Sequence, residues 1–307
     1  MQQPGAGEVL VRVLWVSVDP YQRGRMSQAR SYAKSLELGD VITAQAIGEV
    51  AESQDPRYER GDLVVGQLGW QEYAVARAGS LRKLPPGLEP PTIALHVVGA
   101  TGLTAYFGLF DVGKPLPGET VVVSGAAGAV GSIVGQLARL AGCRAVGIAG
   151  GSEKVADLRE VYGYDEAVDY KADDLRGALK AACPEGVDVY FDNVGGDVSA
   201  AVHSRLNVGA RIAICGQVSQ YNLARPAPTF HPSQLIVFRA RMEGFLVTDY
   251  AHRYGEGISR LARWVANGDL RWREDVTDGL ENAPRAFIGM LRGENRGKAL
   301  VKVADRA

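Results

Sequence analysis

The sequence predicts an α/β protein in which a doubly wound parallel sheet is inserted into a split, β-rich domain. Three observations carry this. Val121-Val-Val-Ser-Gly-Ala-Ala-Gly-Ala-Val-Gly-Ser132 reads as a buried strand, a sharp glycine turn and the opening of a helix. Beyond it, strand-like and helix-like segments alternate to about Val247, as the units of a parallel sheet require. The chain also opens with β alternation from Glu8 to Val16 and closes with it from Lys298 to Val303. A terminal strand needs a sheet to join, and the nearest with room is the amino-terminal β region.

Taken in order, Glu8–Val16 is a strand, and Asp19-Pro-Tyr-Gln-Arg-Gly-Arg-Met26 is a polar loop after it. Val41–Val50, Leu63–Gly66 and Glu72–Ala76 read as short strands between glycine or aspartate turns, closing near Leu84-Pro-Pro-Gly87. From Pro91 to Leu109 the pattern turns helical, with Gly99 and Gly102 as interruptions. After the valine strand, apolar residues recur at helical spacing from Ala129 to Leu140, and a second strand runs from Arg144 to Ala149. Helices at Glu153–Tyr162, Leu175–Ala182, Val198–Leu206 and Ser233–Ala240 then alternate with strands at Ala167–Asp169, Val187–Asp192, Ala210–Cys215 and Met242–Val247. That makes about six parallel strands. His252–Asn267 is a long amphipathic helix, and the tail returns to mixed strand and helix. The expected division is residues 1–93 with 268–307 as the β-rich domain, its first strand cut short, and 94–267 as the nucleotide domain.

Bulk composition excludes several classes of function. A net charge of −1 over 307 residues offers no basic field for nucleic acid and no polybasic anchor for a membrane surface. No apolar run reaches membrane-spanning length and no leader-like segment opens the chain. The three cysteines (Cys143, Cys183 and Cys215) are too scattered for a disulfide framework, which points to the reducing cytoplasm.

The strand–glycine turn–helix unit is the arrangement that offers backbone N–H groups and a positive dipole end to a pyrophosphate. In a fold that binds NAD, a carboxylate about 20 residues on takes the ribose 2′-hydroxyl. Here that position falls on Ala149-Gly-Gly-Ser152, with Lys154 two residues beyond and no acid at the strand end. Ser152 alone would be explained as a helix N-cap and Lys154 as a solvated first-turn lysine. With the acid missing, Gly151, Ser152 and Lys154 fit a 2′-phosphate, and the expected cofactor is NADPH.

Metal chemistry finds no donor set. The four histidines (His96, His203, His231, His252) lack ligand spacing, no cysteine lies near the β-rich region, and His96 sits in an apolar run as a core histidine does. Hydride transfer without a metal remains, and it needs donors for charge developing on an oxygen. The candidates are the loop tyrosines Tyr21, Tyr32 and Tyr221, for each of which simple packing is the bland explanation. Tyr221 has the most in its favour, because Cys215-Gly-Gln-Val-Ser-Gln-Tyr221 follows a strand of the parallel sheet directly.

These segments resemble the zinc-independent medium-chain dehydrogenase/reductases. Within them the likeness is to the leukotriene B4 dehydrogenase/prostaglandin reductase group, with its alkenal double-bond and curcumin-reductase-like members. The residues that carry it are Asp19 to Met26, Gly69-Trp-Gln-Glu-Tyr73, Gly102-Leu-Thr-Ala-Tyr106, Gly125 to Ser132, Tyr190-Phe-Asp-Asn-Val-Gly-Gly196, Ile214-Cys-Gly-Gln-Val-Ser-Gln-Tyr-Asn222 and Gly293-Glu-Asn295. The resemblance implies a Rossmann domain set into a GroES-like catalytic domain. It implies a reductase that uses NADPH to saturate the carbon–carbon double bond of an α,β-unsaturated ketone or aldehyde, its small-molecule partner. By motif, Gly128, Ala129, Val130 and Gly131 hold the pyrophosphate, and Lys154 and Tyr170 the 2′-phosphate. Asn193, Cys215, Gly216, Gln217, Val218, Ser219, Tyr221, Phe245, Leu246, Val247 and Asn295 line the remaining cofactor contacts, with Tyr221 at the nicotinamide ribose.

The resemblance also implies a homodimer. Two departures stand out: the family usually carries about fifteen more residues before Gly7 by motif comparison, and many relatives have Met-Pro where this chain has Ala100-Thr101. A quinone reductase of the ζ-crystallin type and a non-catalytic NADPH-binding protein are the competing readings. Asp192-Asn-Val-Gly-Gly196 and Ser219-Gln-Tyr-Asn222 weigh against the first.

Overall fold

The computed structural model describes residues 3–28, 31–223 and 232–306, so His231 lies outside the described residues. The chain forms two compact units, Met1–His96 with Glu274–Ala307, and Val97–Arg273. The first unit begins with β1 (Glu8–Ser17), whose valines at positions 9, 11, 13 and 16 are fully buried. A five-residue helix α1 (Tyr21–Arg25) follows, then β2 (Gln45–Ser53), β3 (Leu63–Gln67), β4 (Tyr73–Arg77) and the two-residue β5 (Arg82–Lys83). β2 starts later than the alternation suggests. The carbonyls of Ile42 and Ala44 accept from the amides of Trp70 and Gly69 instead of entering the ladder.

The second unit opens with α2 (Ala100–Phe107), after a helical turn at Pro91–Leu95 that belongs to the first unit. The helical run expected from Pro91 to Leu109 is thus broken between 96 and 99, and His96 is buried there. Strand and helix then alternate as β6 (Thr120–Ser124), α3 (Gly131–Leu140), β7 (Arg144–Ala149), α4 (Ser152–Glu160), β8 (Glu166–Asp169), α5 (Leu175–Ala182), β9 (Val187–Asp192), α6 (Gly196–His203), β10 (Leu206–Ile214), α7 (Ser233–Phe238) and β11 (Arg241–Gly244). Every pairing is parallel, in the order β11-β10-β9-β6-β7-β8. Counted from β6 this is 3-2-1-4-5-6, the doubly wound dinucleotide-binding order. β6 lies at the centre and is buried along its whole length, as its unbroken valines require. β11 ends at Gly244, three residues early, because Phe245 turns in to pack edge-on against Phe191 and a helical turn starts at Val247. α8 (Tyr254–Ala266) closes the unit.

The chain then returns to the first sheet through β12 (Glu274–Asp278), α9 (Ala283–Leu291) and β13 (Lys298–Lys302). β13 pairs antiparallel with β1, and the order is β12-β13-β1-β2-β3-β5 with β4 also on β1. The carboxyl-terminal strand therefore completes the amino-terminal sheet. Its expected alternation is not what forms: four of its five residues are buried, Lys298 among them. A lysine can occupy an inward position only when its ammonium is fully paired, and this one is.

Candidate functional site

The carboxyl ends of the parallel strands gather most of the expected residues. β6 runs into a turn that Gly125 enters at φ 59°, with Gly128 N–H donating to Gly125 O at 3.0 Å. At Gly131 a Cβ would lie 2.4 Å from the Gly125 carbonyl oxygen and 2.7 Å from Ala126 Cα, both backbone atoms that cannot move aside. Glycine is therefore required there for α3 to begin against β6. The helix starts without a side-chain cap, so no side chain competes with a ligand for its first-turn amides. Gly128, Ala129 and Val130 are half-buried, and the buried Tyr164 donates its hydroxyl to Gly131 O at 2.6 Å, fixing the turn from below.

At the end of β7 the chain passes through Gly150 and Gly151 into α4. Gly151 is the N-cap, at φ 94°, and no side chain caps the helix. Ser152 is thus not the cap but the first helical residue, with its hydroxyl exposed. The ring of Tyr170 lies against Gly150, within 2.7–2.9 Å of where a Cβ would stand. Gly151, Ser152, Lys154 and Tyr170 are therefore collected around one loop. The sequence shows no acid at the end of β7, yet β8 brings one. Asp169 Oδ1 accepts from the amides of Gly151 and Lys171, each at 2.9 Å. Sequence reasoning missed Asp169, which shapes the loop from the neighbouring strand.

The third cluster is built on Asp192, the last residue of β9, which is 1% exposed. Its Oδ1 accepts from Ser124 Oγ (2.9 Å), Tyr190 Oη (2.9 Å) and the amides of Val194 (2.9 Å) and Gly195 (3.0 Å). Its Oδ2 accepts from Ser199 Oγ at 2.5 Å. Ser124 Oγ in turn accepts from Asn193 N–H at 3.0 Å, and Asn193 Nδ2 donates to Ser124 O at 2.7 Å. The Asp192 carbonyl accepts from the amides of Cys215 and Gly216, and the Asn193 carbonyl from Val218. The buried carboxylate thereby ties the ends of β6 and β9 to α6, and the main-chain carbonyl of the same residue ties β9 to the end of β10. Tyr221 folds back over the same loop: its hydroxyl accepts from Gln217 N–H at 3.3 Å and lies 3.2 Å from a Cβ placed on Gly216. Ser219 donates to Val194 O at 2.7 Å, and Phe245, Leu246 and Val247 leave β11 beside the end of β10. Burial, with Asp192 nearby, pushes the Cys215 thiol up to about 12.

Tyr21, Tyr32 and Asn295 belong to the antiparallel unit. Tyr21 opens α1, and the Arg25 guanidinium carbon lies 5.8 Å from its ring centroid. The Tyr21 hydroxyl is buried without a fully formed hydrogen bond, Gln67 being the polar side chain that approaches it. Burial, then the charge of Asp19, raises its pKa well above the ordinary phenol value. A buried phenol so poorly satisfied marks a place where a ligand atom can supply the missing partner. Tyr32 is 65% exposed, and Asn295 donates Nδ2 to Gly297 O at 2.7 Å in the turn before β13. Among the described residues, no three His, Cys, Asp or Glu side chains form a metal-holding group.

Residues 1–84 match the family model described as N-terminal domain of oxidoreductase, and residues 129–263 the one described as zinc-binding dehydrogenase. With the inserted parallel sheet and the split antiparallel one, these matches define the class as medium-chain dehydrogenase/reductase. The chain is 45% identical to the NADPH-dependent curcumin reductase of Escherichia coli over 98% of its own length and 89% of the relative's. It is 43% identical to the NADP(+)-dependent 2-alkenal reductase of Nicotiana tabacum, over 98% and 88%. Its fold superposes on CurA of Vibrio vulnificus, solved in complex with NADPH, with a TM-score of 0.95 at 44% identity over 99% and 92% of the two chains. The chain belongs to the zinc-independent medium-chain dehydrogenase/reductases, in the group that holds curcumin reductase, prostaglandin reductase 1 and 2-alkenal reductase.

Proposed function

We propose that this chain is an NADPH-dependent reductase of the carbon–carbon double bond in α,β-unsaturated ketones and aldehydes. The observation that carries the reading is near-full-length likeness to curcumin and 2-alkenal reductases, joined to a nucleotide end built as a 2′-phosphate needs. The glycine turn Gly128–Gly131 receives the pyrophosphate at the amino end of α3. Gly151, Ser152, Lys154 and Tyr170 receive the 2′-phosphate, in a loop whose shape Asp169 fixes by accepting from the amides of Gly151 and Lys171. Asn193, Cys215 to Ser219, Tyr221, Phe245 to Val247 and Asn295 make the remaining contacts, and Tyr221 orients the nicotinamide ribose. NADPH, when bound, supplies a hydride to the β-carbon. The work of the chain is then to stabilise negative charge on the carbonyl oxygen as the enolate forms. Tyr21 is the donor this reading favours, because its hydroxyl is buried and weakly partnered; Tyr32, exposed, closes over the substrate.

The chemistry proceeds without a metal, in keeping with cysteines that all lie in the parallel unit. The antiparallel unit is the catalytic domain and the parallel unit the nucleotide domain. The protein acts in the cytoplasm, which its three free cysteines suit; no described helix is long and apolar enough to cross a membrane. It works as a homodimer through the parallel unit. Supporting this, β11 is the last strand of its sheet and Ile236 and Val237 on α7 are 78% and 63% exposed.

Steady-state oxidation of NADPH with a panel of 2-alkenals, enones and quinones tests the reading. Turnover concentrated on enals and enones is expected. Turnover on quinones alone, or none with any member, would refute it.

A further inference from the structure

The antiparallel unit contains a charge pair that the proposed chemistry does not use. Lys298, the first residue of β13, is 1% exposed, and its ammonium donates to Val18 O at 2.9 Å, Ala299 O at 3.0 Å and Asp19 Oδ1 at 3.0 Å. Three acceptors match its three protons. The register explains the meeting. β1 and β13 pair Ser17 with Leu300, and the same antiparallel ladder carried past the end of β1 sets Asp19 opposite Lys298, 279 residues away in the chain. Asp19 is fixed on its other side as well. Its second carboxylate oxygen accepts from Ser17 Oγ, and its amide donates to Gln22 Oε1 at 2.9 Å. Gln22 is fully buried and donates Nε2 to the carbonyls of Ser17 (3.3 Å) and Thr43 (3.0 Å).

Pro20 and Tyr21 follow at once, Pro20 as the N-cap of α1. The first turn of this short helix is therefore fastened at Asp19 and Gln22, while Tyr21 stands between them. A buried charge is a poor choice for stability alone, since an apolar residue of similar volume fills an inward strand position at least as well. What the ammonium adds is direction, because it fixes where Asp19, and hence the start of α1, must sit.

We infer that Lys298 and Asp19 are a positioning pair for the reduction, setting the direction in which α1 presents the Tyr21 hydroxyl. The inference rests on the reading that Tyr21 serves the reaction. Lys298→Met, Asp19→Ala and Tyr21→Phe, with the double variant Lys298→Met/Tyr21→Phe, test it by thermal melting, NADPH Kd from nucleotide fluorescence, and kcat and KM with an aliphatic 2-alkenal. Misplacing a reacting group by about 1 Å costs on the order of 100-fold in rate. Lys298→Met and Asp19→Ala are therefore expected to lose roughly 10- to 100-fold in kcat, with NADPH Kd and KM little changed. In the Tyr21→Phe background the Lys298 change should lower kcat hardly further, because the hydroxyl it places is gone.

Losses that multiply in the double variant would overturn the inference. So would a Lys298→Met enzyme with lowered melting temperature and wild-type kcat, or a Tyr21→Phe enzyme with unchanged kcat. Should Lys298→Met fail to fold, Asp19→Ala, alone and with Tyr21→Phe, makes the same comparison, because it removes the carboxylate and leaves the ammonium its two carbonyl acceptors. Absence of turnover in the wild type would fail the reductase reading and the pair together. Lost coupling in an active enzyme would fail the pair alone.

Discussion

Replacing Asp192 probes the structure at a densely connected buried carboxylate. Five donors converge on this carboxylate, from Ser124, Tyr190, Ser199 and the amides of Val194 and Gly195. In Asp192→Ala the hydroxyls can turn to other acceptors, and Tyr190 and Ser199 already lie 2.9 Å apart. The two amides cannot turn. Each buried donor left without an acceptor costs about 1–3 kcal/mol, so the pair and the space left by the carboxylate give roughly 3–5 kcal/mol. Asp192→Asn is milder. Its oxygen can keep the four donors now on Oδ1, while Ser199 reverses from donor to acceptor before the new amide. Only charge assistance is lost, on the order of 2 kcal/mol in all. Urea unfolding followed by tryptophan fluorescence gives these differences. NADPH Kd should rise in the same order, because Asn193 is anchored through Ser124. An Asp192→Ala protein within about 0.5 kcal/mol of wild type, the range of an ordinary surface change, would refute the reasoning.

Three further outcomes are expected. Lys154→Ala should remove most of a preference for NADPH over NADH of about one to two decades in kcat/KM, from a charge-assisted contact of ~1.5–3 kcal/mol, and leave NADH kinetics nearly unchanged; equal wild-type efficiency with both would contradict this. Burial lowers the His203 pKa, so its contribution to stability is complete above the unfolded value of about 6.5 and is lost as pH falls from there through the folded pKa. The urea midpoint should drop between pH 7 and pH 5, and His203→Gln should flatten part of that slope; an unchanged slope would count against it. Burial raises the thiols of Cys143 and Cys183 to about 11 and that of Cys215 to about 12. Iodoacetamide at pH 8 should therefore leave folded enzyme unlabelled by mass spectrometry and fully active, and rapid loss of activity would contradict the raised thiol of Cys215.

The parallel sheet was legible because its strands announce themselves locally. Val121 to Val123, an unbroken β-branched run, form a strand buried on both faces, and Leu175–Ala182 and Val187–Asp192 form with the expected limits. Strand and helix ends were less legible where tertiary contacts decide them, as where Phe245 turns in toward Phe191. The glycine turn, Lys154 and Tyr170 could be named because motif spacing marks them. Asp192 could be named only as part of a motif. Its role depends on Ser124, 68 residues earlier, and no local pattern reports a hydrogen bond across a sheet. Asp169 escaped notice for the same reason, since the acid near Gly151 comes from the next strand. By alternation Lys298 is one polar position of a terminal strand, and its burial follows from a register that pairs it with the other end of the chain.

The most direct measurement is the fate of deuterium from NADPH labelled at C4 of the nicotinamide, on the transferred face, with an enone as acceptor. The expected product is the saturated ketone, with that deuterium on the β-carbon and solvent hydrogen at the α-carbon. Deuterium on the carbonyl carbon of an allylic alcohol would show carbonyl reduction and contradict the assignment.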